Sequence, residues 1–548
     1  MIGLPAACPH SFLLLVLCVV LLIAVAGHSS SATVWYVCLE GDDSGPGTAG
    51  QPWATIAQAN ARLQPGDVVV LQPGDYRETI RPHVNGRSDE ARITYRGLSP
   101  ARITGVDVGF DLTDRAFITI SGLTVEHVGN FGMMNGATDC IIEDCRFTGA
   151  RGYPGIQMGV GERAASRNVI RRCRMADVRG DGIQLRFLAD HNLIEDNEIR
   201  FCDHGCIVLR GHGPGSDRNP SHNVVRRNRL SSRWHTTMNL DVNAEHNLIE
   251  WNTISGADAS GPGLQLSACH NIVRRNIITG NYSMSYESHG ALAVWAGWES
   301  GQEEICPSIG NRIYHNVIAL NRHAGLSAIY WDCPECELRD NHYVNNIIYD
   351  NSRYRDNHSF YRKRDEVGNV QLQLTDSQHM RGELYDHNLI YSAAPHPPGA
   401  ADPVVLWDGR LMTLAEAESH PSGFLRDNLC ADPKFADPLW DDFRLRADSP
   451  CIDAGRHLTT TTASGSGNRM RVADSSYFCD GFGIIDGDEI TLAGVGTARV
   501  TDIPDSHTLV LDQELTWPAG AGVSLVYKGE APDMGVFEFE GSAARPRG

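Results

Sequence analysis

Five short segments hold the side chains with the widest chemical scope: Gly182-Ile-Gln-Leu-Arg186, Cys206-Ile-Val-Leu-Arg210, Thr237-Met-Asn-Leu-Asp241, Gly263-Leu-Gln-Leu-Ser267 and Ala291-Leu-Ala-Val-Trp295. Their two-residue alternation is that of a strand. With Leu185, Leu209, Leu240, Leu266 and Val294 turned into a core, Gln184, Val208, Asn239, Gln265 and Ala293 turn outward. Arg186, Arg210, Asp241, Ser267 and Trp295 form the next column. His204, His235 and His289 stand five residues before the inward position, and His323 about one residue out of that register. Tyr286 and Trp298 lie close by in sequence.

Arginine pairs with carboxylates, histidine exchanges protons near neutral pH, and tryptophan stacks on sugar rings, so these columns describe a groove for an acidic sugar. Cleavage of a uronate chain by β-elimination needs its carboxylate neutralised, the neighbouring proton removed and the leaving oxygen protonated. Arg186 or Arg210 suits the first task, His235 or His289 the proton transfer and Tyr286 the acid, with Asp241 beside them as a further catalytic candidate. Gln184, Asn239, Gln265, Trp295, Trp298 and His323 are the expected substrate-binding residues. Taken singly, each histidine is more often a turn residue bonded to its neighbour.

The groove exists only if distant segments stack, and a repeat makes them do so. Seven copies of one phrase start at Asn168, Asn192, Asn223, Asn247, Asn271, Asn311 and Asn341, spaced 24, 31, 24, 24, 40 and 30 residues apart. A base period of 24 with insertions marks a solenoid. Alternating apolar residues around an Asn or Cys make each unit a β coil of about three strands of four to five residues. The sixth position of the phrase (Cys173, Asn197, Asn228, Asn252, Asn276, Asn316, Asn346, with Cys145 in an imperfect earlier copy) is expected to stack. An Asn there would tolerate left-handed backbone and pass amide hydrogen bonds along the stack.

Residues 12–26 form an apolar run too short for a comfortable membrane span, which reads as a secretory signal within residues 1–32. The chain carries a net charge of −20 and three lysines, which argues against nucleic acid and anionic membranes as partners. A secreted monomer, extracellular or periplasmic, with a polysaccharide as partner is the expectation. Cys140, Cys145, Cys173, Cys202 and Cys206 read as small buried residues. Cys306, Cys333 and Cys336 could hold one disulfide or, less commonly, three zinc ligands.

Residues 53–63 predict a short amphipathic helix, with Ile56, Ala59 and Leu63 on one side, that plugs the open end of the solenoid. Residues 33–455 read as the solenoid, with 432–455 as a closing segment and 532–540 returning to it; residues 456–530 read as a small inserted β module. Its Asp486-Gly-Asp-Glu makes calcium the one candidate cofactor, although such a run is more often a solvated turn. No metal ligand set is assigned.

Trp35-Tyr-Val, Pro52-Trp-Ala-Thr-Ile, Pro65-Gly-Asp, Pro73-Gly-Asp-Tyr, the Asn-rich turns, Ser449-Pro-Cys-Ile-Asp-Ala-Gly and Pro532-Asp-Met-Gly resemble secreted right-handed parallel β-helix proteins of the pectate-lyase-like superfamily. The resemblance spans nearly the whole chain. It implies an all-β, right-handed parallel β-helix with an N-terminal capping helix and a small inserted C-terminal β module. For function it implies a lyase, a hydrolase, an epimerase or a binding protein. Arg210-Gly-His-Gly resembles the Gly-His-Gly of polygalacturonases, but the paired-Asp motif is missing, as is the Asp-Pro-His-Asp of alginate epimerases. A polysaccharide lyase is therefore favoured. A hydrolase would need two facing carboxylates from Asp181, Asp203, Asp241 and Asp258, and a non-catalytic glycan-binding protein would show no convergence of His and Arg columns.

Overall fold

Each repeat makes one three-stranded turn of a solenoid. Our computed structural model describes residues 33–213, 215–256, 261–281, 290–299, 304–331, 333–352, 370–393 and 404–541. Val169–Arg171, Arg174–Val178 and Ile183–Arg186 are the strands of one turn, and their counterparts recur with every phrase. Equivalent strands pair in parallel into sheets of 14, 12 and 13 strands, named here the first, second and third sheets in chain order; only the third ends on an antiparallel strand, Arg410–Met412. The molecule is a parallel β-helix with the inward Leu, Ile and Val of all three sheets as its core.

Buried amides hold the corners. Asn197 donates its backbone N and its Nδ2 to Asn228 Oδ1, both at 3.0 Å. The pattern continues through Asn252, Asn276, Asn316, Asn346 and Asn388 to Asn428, which Glu418 terminates. The first Asn of the phrase builds a second ladder from Asn168 to Asn341 that ends on Glu383. A third, Asn281, Asn321, Asn351 and Gln371, closes the corner between the second and third sheets in the later turns.

The left-handed residue is not the ladder Asn, as the sequence suggested, but the one before it: Asp196, Arg227, Trp251, Arg275 and His315 have φ of 54–57°. This bend turns the following amide inward and its own side chain outward. At the equivalent place before the other ladder, His191, His222, His246 and His270 stack with ring centroids 5.1, 5.5 and 5.2 Å apart. These four are corner residues.

Helix Ile56–Arg62 covers the first turn, with the side chains of Ile56 and Ala59 buried in the core; Thr55 accepts from Gln58 N at its start.

 Ala59 and Leu63 are as fully enclosed as Ile56. At the other end, Leu414–Glu418 covers the last turn with Leu414 and Ala417. The segment expected to close the solenoid lies instead along the second sheet, where Phe435, Phe443, Met534 and Val536 pack on Val317, Ile347 and Leu389.

Residues between Thr459 and Leu525 form a six-stranded antiparallel sheet. It packs on the outer face of the first sheet, against Leu193, Val224, Leu248, Ile272 and Tyr314. Arg274 is buried in this contact and donates to both oxygens of Asp488 at 2.6 Å. Asp488 is thereby engaged, and Asp486 stands in solvent 3.7 Å from Arg499.

Cys333 and Cys336 form a disulfide, which removes two of the three conceivable zinc ligands. The signal-like residues 1–32 lie outside the described residues. Among the described residues, no helix is long and apolar enough to cross a membrane.

Candidate functional site

The third sheet pairs Gln184 with Val208, Asn239 with Gln265, and Gln265 with Ala293 in one outward column; Arg186, Arg210 and Asp241 pair in the next. Before each strand, the connection from the second sheet places a ring at the corner. His204 and His235 stack at 4.5 Å, and Tyr153 lies 5.8 Å from His204. Tyr153 stands five residues before Met158, which pairs with Leu185, so it belongs to the same column. Gly180 occupies the turn between Tyr153 and His204. A Cβ there would lie 1.9 Å from the Tyr153 ring, so glycine is what lets the phenol lie over that turn.

Asp181 joins the corner to the groove floor. Its carboxylate is buried and accepts from Gln184 Nε2 at 2.7 Å and Gly205 N at 3.1 Å, and it bonds His204 Nδ1 at 2.6 Å. Burial pulls the His204 pKa down, but the hydrogen bond and charge of Asp181 outweigh it and the net shift is upward. His235 is pushed down to about 4 by burial and then by His204 beside it. The two stacked imidazoles are thus shifted in opposite directions, His204 upward and His235 downward. Burial, then Asp181, raises the Tyr153 pKa and keeps the phenol protonated.

The arginines are not equivalent. Arg210 donates to Asp241 Oδ2 at 2.5 Å and also to Glu304, so two carboxylates balance its charge. Asp241 is buried and accepts further bonds from Val242 N at 2.8 Å and Ser267 Oγ at 3.0 Å. Arg186, on the neighbouring turn, is half-buried, and its Nε has no hydrogen-bond partner among the described residues. Burial, then the like charge of Arg210, pulls its pKa down. Both arginines are near enough for their charges to act on Tyr153. A guanidinium repelled by its neighbour and bound by no carboxylate is a place for a ligand's anion.

Several sequence expectations change here. Arg210 and Asp241 are partners in a structural ion pair, because Glu304 and Ser267 complete their bonding. Gln184 is 5% exposed and holds Asp181, and Asn239, equally enclosed, lies 3.5 Å from Asp241 Oδ2. Gln265 is half-buried and accepts from Thr236 Oγ1 at 3.4 Å. Trp295 is 3% exposed, shut in by Val242, Cys306 and Ile329, so no sugar can stack on it. His323 is in full register, since Ala328 pairs with Val294, but it is buried. Tyr286, His289 and the side chain of Trp298 lie outside the described residues, as does Asp258.

Sequence reasoning missed Tyr153, Glu304 and the role of Asp181. Counting five residues back from Met158 would have found Tyr153. Glu304 had no such signal, because it enters on a strand, Glu304–Cys306, that pairs antiparallel with the end of Leu292–Glu299.

A family model described as a right handed beta helix region matches residues 99–229. The fold is a right-handed parallel β-helix. Solved structures that this β-helix resembles include XylC in complex with xylose, at 14% identity and a TM-score of 0.39 over 91% of this chain and 99% of that one. Another is a mannuronic acid specific polysaccharide family 6 lyase from human gut microbiota, at 14%, 0.42, and 70% and 89% coverage. A third is pectate lyase Pel9A, at 14%, 0.40, and 93% and 97%. Among curated proteins, uncharacterized protein YwoF of Bacillus subtilis (strain 168) is 30% identical over 111 residues, which span 18% of this β-helix chain and 24% of that protein.

Proposed function

We propose that the protein is a secreted polysaccharide lyase that cleaves a uronate-containing chain by β-elimination. The observation that carries this reading is Arg186, a half-buried cation with no carboxylate partner among the described residues, beside a tyrosine and an aspartate-bound histidine. In this reading Arg186 binds the substrate carboxylate and stabilises the charge that develops on it as the neighbouring proton leaves. His204 takes that proton on Nε2, because Asp181 occupies Nδ1 and fixes the tautomer. Tyr153 donates its phenolic proton to the leaving glycosidic oxygen. Neutral His235 stacks under His204 and limits the rotation of the ring.

A hydrolase would need two open carboxylates. Asp181 and Asp241 are buried and fully engaged, and Asp203 lies 3.5 Å from Arg233, so this rival loses three of its candidates.

The purified protein should be incubated with polygalacturonate, polymannuronate and polyguluronate while the ultraviolet absorbance of unsaturated chain ends is followed. Turnover that falls about a hundredfold or more in Arg186→Gln, the usual scale for losing one transition-state charge contact, supports the reading. New reducing ends without absorbance would favour hydrolysis, and binding without either product would favour a non-catalytic role.

A further inference from the structure

The loops that carry Tyr153, His204 and His235 have a second face. Arg151 and Arg233, two residues before Tyr153 and His235, and Arg179, just before Gly180, come from three turns of the helix and line a cleft of about 380 Å3, with His127, Asp177 and Asp203 on its walls. Arg151 and Arg179 sit on adjacent turns, because Ala150 pairs with Val178, which brings their backbones within about 4.8 Å of each other. In later turns this corner is closed by the ladder of Asn281, Asn321 and Asn351. Here the inward places of that ladder are taken by the buried Ala150, Val178 and Cys202, and Arg151 and Arg179 are the residues that follow the first two.

The charges in the cleft are unevenly matched. Arg233 is held by Asp177 at 3.0 Å and Asp203 at 3.5 Å, and its guanidinium lies 5.5 Å from the Phe201 ring centre. Arg151 and Arg179 are exposed, and no ion pair engages either among the described residues. Elsewhere on the helix, arginines on neighbouring turns do find acids: Arg167 with Asp139, Arg172 with Asp144, Arg227 with Asp196. In a chain with a net charge of −20, the two acids on the cleft walls, Asp177 and Asp203, are engaged by Arg233, and Arg151 and Arg179 stand outside that pairing. Phe201, 47% exposed, stands beside the cleft against the Arg233 guanidinium. Two exposed arginines on adjacent turns, outside any ion pair among the described residues, suit a carboxylate on a sugar ring.

We propose that this cleft is a second anionic subsite, in which Arg151 and Arg179 together bind the carboxylate of the uronate residue next to the one held at Arg186. The substrate then runs over the corner, from the floor of the third sheet past His204 and Tyr153 to the arginine pair. This assignment rests on the uronate reading of the Arg186 site, but it predicts a different signature. Arg186 acts on the reacting residue, whereas Arg151 and Arg179 act on its neighbour, so their loss weakens binding and leaves the chemical step alone.

The test compares wild type with Arg151→Gln/Arg179→Gln. KM and kcat are measured on whichever polyuronate is turned over, and calorimetric Kd on tetramers of galacturonate and mannuronate and on their carboxyl-reduced counterparts. The expected result is a rise of roughly tenfold or more in KM and Kd for the acidic ligands, the scale of one lost charge-assisted contact, with kcat unchanged and the reduced ligands unaffected. Unaltered KM and Kd would overturn the subsite and leave the Arg186 reading standing. Weakened binding in a protein that turns over no polyuronate would keep the subsite and overturn the lyase. Failure of wild type to bind any acidic tetramer would overturn both. A fall in kcat alone would place the pair in the chemistry and also overturn the subsite.

Discussion

Replacement of Asn252 by alanine tests whether the amide ladders hold the helix together. Asn252 is 1% exposed, and its Oδ1 accepts from both the N and the Nδ2 of Asn228 at 3.0 Å. Its own Nδ2 donates to Val225 O at 2.9 Å and Asn276 Oδ1 at 3.0 Å. Truncation therefore strands the buried Asn228 backbone N, while Asn228 Nδ2 keeps Ile194 O and Arg226 O, and it removes one donor from each of two acceptors, Val225 O and Asn276 Oδ1. A stranded buried donor costs about 1–3 kcal/mol and each lost bond about 0.5–1.5 kcal/mol, so the expected loss is about 2–6 kcal/mol. The same change at Asn428, the half-exposed last member before Glu418, leaves groups that water can reach and should cost about 1–2 kcal/mol. Urea unfolding followed by circular dichroism and tryptophan fluorescence reads both. Equal losses at the two positions, or a loss below about 1 kcal/mol at Asn252, would refute the claim that buried ladder bonds are what this corner depends on.

Three further outcomes follow from the same geometry. Glu383 ends a ladder in full burial and has its pKa raised to about 8 from an ordinary 4.5, chiefly by desolvation. The folded state keeps this proton after the unfolded chain has lost it, so stability falls as pH rises from about 4.5 to 8 and then levels; Glu383→Gln should remove that slope, on the order of 5 kcal/mol, in melting curves taken across this range. Asp181→Asn removes the anion that raises His204, so the acid limb of the pH–activity profile should move to lower pH while the maximum rate drops; an unmoved limb would dissociate His204 from the proton transfer. Gly180→Ala puts a Cβ against the half-exposed Tyr153 ring and should cut kcat while the urea midpoint stays close to wild type, and unchanged kcat would remove Tyr153 from the reaction.

Much of this was legible from residue types because it is periodic. The phrase beginning at Asn168 fixes which residues recur, the strand alternation fixes which face the core, and both depend only on neighbours in sequence. The same reasoning placed His204 and His235 in one column, where their rings stack at 4.5 Å. It went astray where partners come from insertions. Arg210 looked as open as Arg186 until Glu304 arrived from 94 residues away, and Trp295 looked like a sugar platform until Cys306 and Ile329 covered it.

The sequence by itself determined the coil, its period, its inward residues and the stacking of its amides, since a repeat imposes the same local conformation on every copy. Only the tertiary structure decided which of the stacked charges remain available. Availability depends on what folds over a turn from elsewhere, and a long-range ion pair leaves no mark on local pattern. Arg186 and Arg210 share a strand motif and a register, yet one is neutralised and the other is free to meet an anion.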